Sequence, residues 1–370
     1  MKYFLYILLL FPFFTSAQII TTVAGKGTIG KTGDNGPATA AELFYPSAIA
    51  IDQSGDLYIA DQYNFCARKV NRAGFISTCA GAPPLTGFGG DNGPATNAQM
   101  TEVTGIATDD FGDIVLADNG NKRIRQVNKA GIITTIAGNG SEALSGDGGR
   151  AMYAGLGDGP GNLYSDRAGN LYFSNNSCVR KINYAGIVTT VAGKNEMSYS
   201  GDGGPATAAT LKRPRGIALD PFGNLYIADY DDNRVRKVSK DGVITTFAGN
   251  GYASEPGFGS YYGDGGPATD AGLSGPTGIA VDGDGNVYIG DFNNHCVRKV
   301  DRNGIITTFA GTAVNGYSGD GGPAKTATLL SAAGLAFDAE GSLYICDAVN
   351  NRIRKVIHAA KPPVFFNGKK

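Results

Sequence analysis

The chain has 370 residues, 56 of them Gly and 16 Pro, with 42% hydrophobic and 18% charged residues. This composition belongs to an ordered, turn-rich globular protein and excludes long helical bundles and coiled coils. Lys plus Arg number 32 against 33 Asp plus Glu, a formal charge of -1, so the cationic face that nucleic-acid phosphates require is not provided; two His and no Trp leave little for a mechanism built on several imidazoles.

The first predicted element is an export signal. Met1-Lys2 precede an apolar run from Phe4 to Phe14, followed by Thr15-Ser16-Ala17, the order of a short basic region, a hydrophobic region and a small-residue cleavage site. The run is too short to span a bilayer comfortably, and no Cys follows Ala17 to carry a lipid anchor. Residues 1–17 are therefore expected to be removed, leaving a secreted or periplasmic protein that does not insert in the membrane.

From there the chain repeats itself. An ITTxAG-like segment ends at Gly25, Gly81, Gly138, Gly193, Gly249 and Gly311, at intervals of 56, 57, 55, 56 and 62 residues. Between these marks each unit runs in one order, clearest in the fourth: GDGGPA from Gly201, PRGIALD from Pro214, GNLYIAD from Gly223, NRVRKV from Asn233 and GVITTFAG from Gly242. These short segments rich in Ile, Val, Tyr and Thr, bounded by Gly, Asp and Asn, predict four strands per unit. Four antiparallel strands repeated six times predict an all-β, six-bladed propeller. The sixth unit lacks an ITTxAG strand of its own and the N-terminus carries an orphan one, so Ile19 to Val23 is expected to pair with Arg352 to Val356 and close the ring. The propeller then covers residues 18–356, with 357–370 as a tail.

The repeated P-x-G-I-A-x-D, G-N-L-Y-I-A-D and N-R-I-R-K-V segments resemble NHL repeats, from Ile19 to Val356. That resemblance implies an interaction platform more often than an enzyme, although some relatives are lyases.

Residues that recur in every unit serve the repeat. The Asp closing each first strand (Asp52, Asp109, Asp166, Asp220, Asp282, Asp338) and the Arg of each third strand (Arg68, Arg125, Arg180, Arg236, Arg298, Arg354) are read as turn caps and ion pairs. The pairs Gly105/Ala107, Gly216/Ala218 and Gly278/Ala280 are read as small residues letting blades approach at the axis. Each GDGGPA loop has one carboxylate, too few for a calcium site of its own, and is read as a short turn that places Leu211 or its equivalent between blades.

Departures from the repeat mark the candidate site. Tyr164 replaces the usual Ala, the loop at Asn175 is shortened, and Arg215 stands where other units have Ser47, Thr104, Gly161, Thr277 and Ala333. With Tyr230, Asp231, Tyr261 and Phe292 on the loop-rich face, these are the candidate ligand-binding residues. A lone cation suits an anionic group, or pairs with Asp231 or Asp232; Tyr-rich loops suit a peptide, protein surface or glycan, or cover their own loops. No catalytic residue, metal ligand or cofactor is assigned, and a monomer is expected. The alternative is a metal-dependent enzyme: two His cannot build a three-His zinc centre, whereas a lactonase-like site would gather scattered Glu, Asp and Asn around one cation. Of five Cys, Cys66 and Cys79 lie on consecutive strands; pairing Val70 with Phe75 would set them opposite each other, as a candidate disulfide or as two small buried hydrophobes.

Overall fold

The computed structural model describes residues 18–166, 168–175, 177–253 and 258–358; the expected signal segment, 1–17, and the tail from residue 359 lie outside them. Twenty-four strands form six separate four-stranded antiparallel sheets. Five sheets use consecutive strands: Pro46–Ala80, Val103–Ala137, Leu163–Ala192, Pro214–Ala248 and Pro276–Ala310. We number these blades one to five. Blade six takes Ala332–Phe337, Leu343–Asp347 and Arg352–His358, and its outer strand is Gln18–Ala24. Ile20 pairs with Val356 and Thr22 with Arg354, as expected, and the pairing runs on through Ile357 and His358, so the sheet takes two residues assigned to the tail. Among the described residues no helix is long and apolar enough to cross a membrane.

The core lies between blades. Leu211, wholly buried, packs with Ile217 and Leu225 of blade four and Val179 of blade three. The 3-10 turn Ala206–Ala208 that follows Pro205 brings it there, as the loop reading predicts. The small residues of the first strands also act as expected: a Cβ on Gly216 would fall on the Thr277 carbonyl, and one on Gly278 on the Ala333 carbonyl. The inner strands thus touch backbone to backbone around the axis.

A bulge between the third and fourth strands corrects the cysteine register. Val70 pairs with Ile76, not Phe75, and the ladder jumps from Arg68↔Thr78 to Ala67↔Ala80, leaving Cys79 as the extra residue. Cys66 faces Asp61 on the other side of its strand, and all five cysteines are free thiols. The same bulge turns Phe247 onto Tyr226 and Phe309 onto Tyr288, each with centroids 4.8 Å apart. It therefore re-aims one outer-strand side chain per blade, and in blade one that side chain is Cys79, whose thiol donates to the Ala67 carbonyl at 3.3 Å.

Candidate functional site

The twelve recurring charges separate by position. The Asp that closes each first strand caps its turn: Asp220 accepts from the amides of Phe222 and Asn224, both at 2.9 Å. The third-strand Arg is buried in every blade and pairs instead with the Asp of the GDGG-type loop. Arg125 meets Asp91 at 2.7 Å and Arg298 meets Asp264 at 2.7 Å. In five blades a second, buried Asp at the end of the second strand flanks the same Arg: Asp61, Asp118, Asp229, Asp291 and Asp347. Burial, opposed by hydrogen-bond donors and the Arg, pushes the carboxyls of Asp61, Asp118 and Asp291 up to about 6. Burial would also raise Asp202, but bonds from Thr246 and Arg236 outweigh it and hold that loop carboxyl below its ordinary value.

The loop aromatics belong to this framework. Phe88, Tyr199, Tyr261 and Tyr317 each lie on a buried guanidinium, with 5.0 Å from Arg298 to the Tyr261 ring. The Tyr261 hydroxyl bonds the Thr308 hydroxyl at 2.8 Å. Tyr261 thus covers its own blade, which is the second of the two roles weighed for it.

The channel mouth is a different surface. It holds a cavity of about 320 Å³ lined by three stacked tiers of side chains. The first tier is a left-handed position in each unit: Tyr45 (56°), Glu102 (52°), Arg213 (58°), Gly275 (57°) and Ser331 (68°) directly before the inner strand, and Gly159 (99°) shortly before Leu163; of these Tyr45, Glu102, Gly159 and Arg213 line the cavity. Bulky residues rarely hold this geometry, which costs ~1 kcal/mol or more each. A side chain on Gly275 would strike the Tyr230 ring. The second tier contains Ser47, Thr104, Gly161, Arg215, Thr277 and Ala333. Its hydroxyls tie adjacent blades, Thr104 donating to the Pro160 carbonyl at 3.0 Å and Thr277 to that of Ala332 at 2.9 Å. Arg215, by contrast, is exposed and its guanidinium lies over the Tyr230 ring. The third tier includes Gln62, Asn119, Asn175 and Phe292.

Of the candidate residues, Arg215, Asn175 and Phe292 line this cavity and Tyr230 and Asp231 stand behind it. The guanidinium of Arg215 stacks on Tyr230 at 4.6 Å, and Tyr230 meets Phe292 edge-on at 6.4 Å. Asp231 pairs with Arg213 at 3.2 Å, so the partner proposed for Arg215 is taken by its neighbour; among the described residues no ion pair forms to Arg215. Asn175 is buried and donates to the Leu156 and Gly159 carbonyls. Tyr164 does not join them. It is the middle residue of the short strand Leu163–Ser165, pairs with Tyr172, and packs on the core clusters on either side of blade four. Tyr45, its hydroxyl pushed up to about 12 chiefly by burial and drawn back by Arg215, was missed along with Glu102 and Arg213. Tyr45 and Arg213 precede prolines, where an extended conformation is the ordinary expectation, so the sequence pointed away from the left-handed tier.

An all-β ring of six four-stranded blades, with a polar cavity at one mouth of its axis, defines the class: a closed six-bladed propeller. The teneurin NHL domain family matches residues 196–256 and 246–316. Human teneurin-1 is 27% identical over 91% of this chain, which spans 13% of that relative's length. Among solved structures, an auxiliary nutrient binding protein of Bacteroides thetaiotaomicron superposes with a TM-score of 0.65 at 17% identity, covering 93% of this chain and 77% of that one. A gluconolactonase of Xanthomonas campestris gives 0.55 at 13%, covering 92% and 91%; at such identities the likeness is one of fold. The family-model match, the teneurin relatives and the six-bladed ring together support an NHL-repeat propeller.

Proposed function

We propose that the protein is an exported, non-catalytic binding platform, and that the channel mouth takes a peptide, protein segment or glycan through an anionic group. The observation that carries this is Arg215, an exposed cation placed over the Tyr230 ring where five other blades place Ser, Thr, Gly or Ala. Tyr230 and Phe292 offer a rigid aromatic shelf beside it. Peptide and glycan arrays with the mature protein should give hits enriched in carboxylate or phosphate, and Arg215→Ala should weaken them at least tenfold while leaving stability within about 0.5 kcal/mol. Hits that survive Arg215→Ala would place the site elsewhere.

A second reading rests on the opposite wall. Glu102 and Asp158 line the same cavity with Asn119 and Asn175, oxygen donors of the type calcium uses. Among the described residues no group of three or more His, Cys, Asp or Glu is placed to hold a metal, so carboxylates alone do not fit a cation there, and amide oxygens would have to complete the set. Calorimetry with calcium tests it: binding abolished by Glu102→Gln would favour a metal-dependent hydrolase of the lactonase kind.

A further inference from the structure

The buried Asp at the end of each second strand has a repeated neutral partner. In blades one, two, five and six an Asn three residues on donates its amide to that carboxylate: Asn64 to Asp61 at 2.8 Å, and Asn121, Asn294 and Asn350 to Asp118, Asp291 and Asp347 at 2.9 Å. The same Asn also donates to a loop carbonyl, such as Gly30 or Ser260. Blade four has Asp232 at this position. A donor has been replaced by a second carboxylate, and the Oδ2 atoms of both Asp229 and Asp232 are buried without a hydrogen-bond partner. Asp229 is wholly buried, and its Oδ1 is occupied by the Lys212 amide at 2.6 Å.

Two facing, ionised carboxylates cannot be kept in a buried pocket unless something stands between them. A cation is disfavoured by the neighbours, because Arg236, Arg234 and Lys212 already face the pair. Arg236 is shared with Asp202, and Asp231 is engaged by Arg213, so the local positive charge is partly spent but not reversed.

We propose that Asp229 and Asp232 share one proton taken from solvent, which restores the hydrogen bond that Asn supplies in the sister blades and makes the turn Tyr230–Asp232 sensitive to pH. Burial and the mutual repulsion of the two groups raise the Asp229 carboxyl well above its ordinary value, and burial raises Asp232. The turn that carries Asp232 also carries Tyr230, the ring under Arg215, so loss of the proton would push apart the two carboxylates directly behind the aromatic shelf. The shared proton does not depend on the mouth binding a ligand; only the consequence for binding rests on that reading.

The test is made without ligand. Thermal unfolding of the wild type and of Asp232→Asn, which restores the repeat's own residue, is followed from pH 5 to 8. A proton bound more tightly by the folded chain is a contribution complete at low pH and lost as pH rises. The wild type is therefore expected to lose a few degrees of midpoint relative to Asp232→Asn across this range, and the Tyr230 ring resonances are expected to shift over the same interval in the wild type alone. Parallel profiles for the two proteins would overturn the proposal. So would a calcium-dependent rise in midpoint seen in the wild type and absent in Asp232→Asn, which would make the pair a cation site. If Asp232→Asn does not fold, carboxyl-carbon NMR of the wild type decides: two carboxylates already present at pH 5 in blade four refute the shared proton.

Discussion

Blades three and four depart from the repeat at the same buried place and in opposite directions. Blade three has Ser174 where the others end their second strand in Asp, so Arg180 keeps one carboxylate, Asp147, and otherwise donates to the carbonyls of Gly155 and Ser145. Blade four keeps Asp229 and adds Asp232. The buried Arg persists in both. The loop Asp and the backbone carbonyls are thus the constant part of the tie, and the strand carboxylate is the part free to vary. Variation there is coupled to the mouth, because Ser174 accepts from the Asn162 amide at 2.9 Å beside the shortened loop, while Asp232 sits in the turn of Tyr230.

The largest effect that would test this division comes from removing a buried Arg. Arg125→Ala strands Asp91 and Asp118 together and should cost about 3–5 kcal/mol in urea unfolding. Arg180→Ala strands only one carboxylate and should cost measurably less; equal losses would mean that the strand carboxylate is irrelevant. Next, Tyr164→Ala should cost about 1–3 kcal/mol, since its ring is packed on two core clusters, with ligand affinity unchanged because Tyr164 is on another blade from Arg215 and does not line the cavity. A fall in affinity without loss of stability would return Tyr164 to the site.

The pH profile should carry a signature of the same asymmetry, on the order of 1 kcal/mol per carboxyl. Asp118, raised from 3.8 to about 6, binds its proton more tightly when folded, so its contribution is complete below 3.8 and is lost as pH rises through 6. Asp202 and Asp264 are held low, so theirs is present above the ordinary carboxyl value and is lost as pH falls below it. Asp118→Asn should flatten the decline on the neutral side without changing the acid limb; Ser174 gives blade three no such term. Smallest of all, Cys79→Ser should change stability by less than about 0.5 kcal/mol, and five thiols should titrate in denaturant without reductant.

Much of the architecture was legible because it is written six times: strand number, ring closure and the small residues at the axis each follow from a position that every unit repeats. What escaped depends on geometry that one unit does not spell out. The Cys66–Cys79 pairing does not form because the hairpin pairs Val70 with Ile76, one residue beyond Phe75, and a bulge then leaves Cys79 as an extra residue. The Arg was assigned to an ion pair, but its partner lies 34 residues upstream in the loop, as Asp91 does for Arg125, a distance no strand pattern reveals. Arg215 was found by being different. Tyr45, Glu102 and Arg213 were not, since each unit has some residue there and only the backbone shows that all six are left-handed.

Closing the ring with the two ends of the described chain has a kinetic side. Gln18 and His358 are about 340 residues apart in sequence yet adjacent in the sheet, a contact of the highest order the fold contains. The strand Gln18–Ala24 cannot find its partner until Arg352–His358 has been made, and until then blade six shows an open edge to its surroundings. Once joined, blade six cannot come apart without releasing both ends of the ring, so the contact that closes the longest loop is also the latch that holds the ring shut.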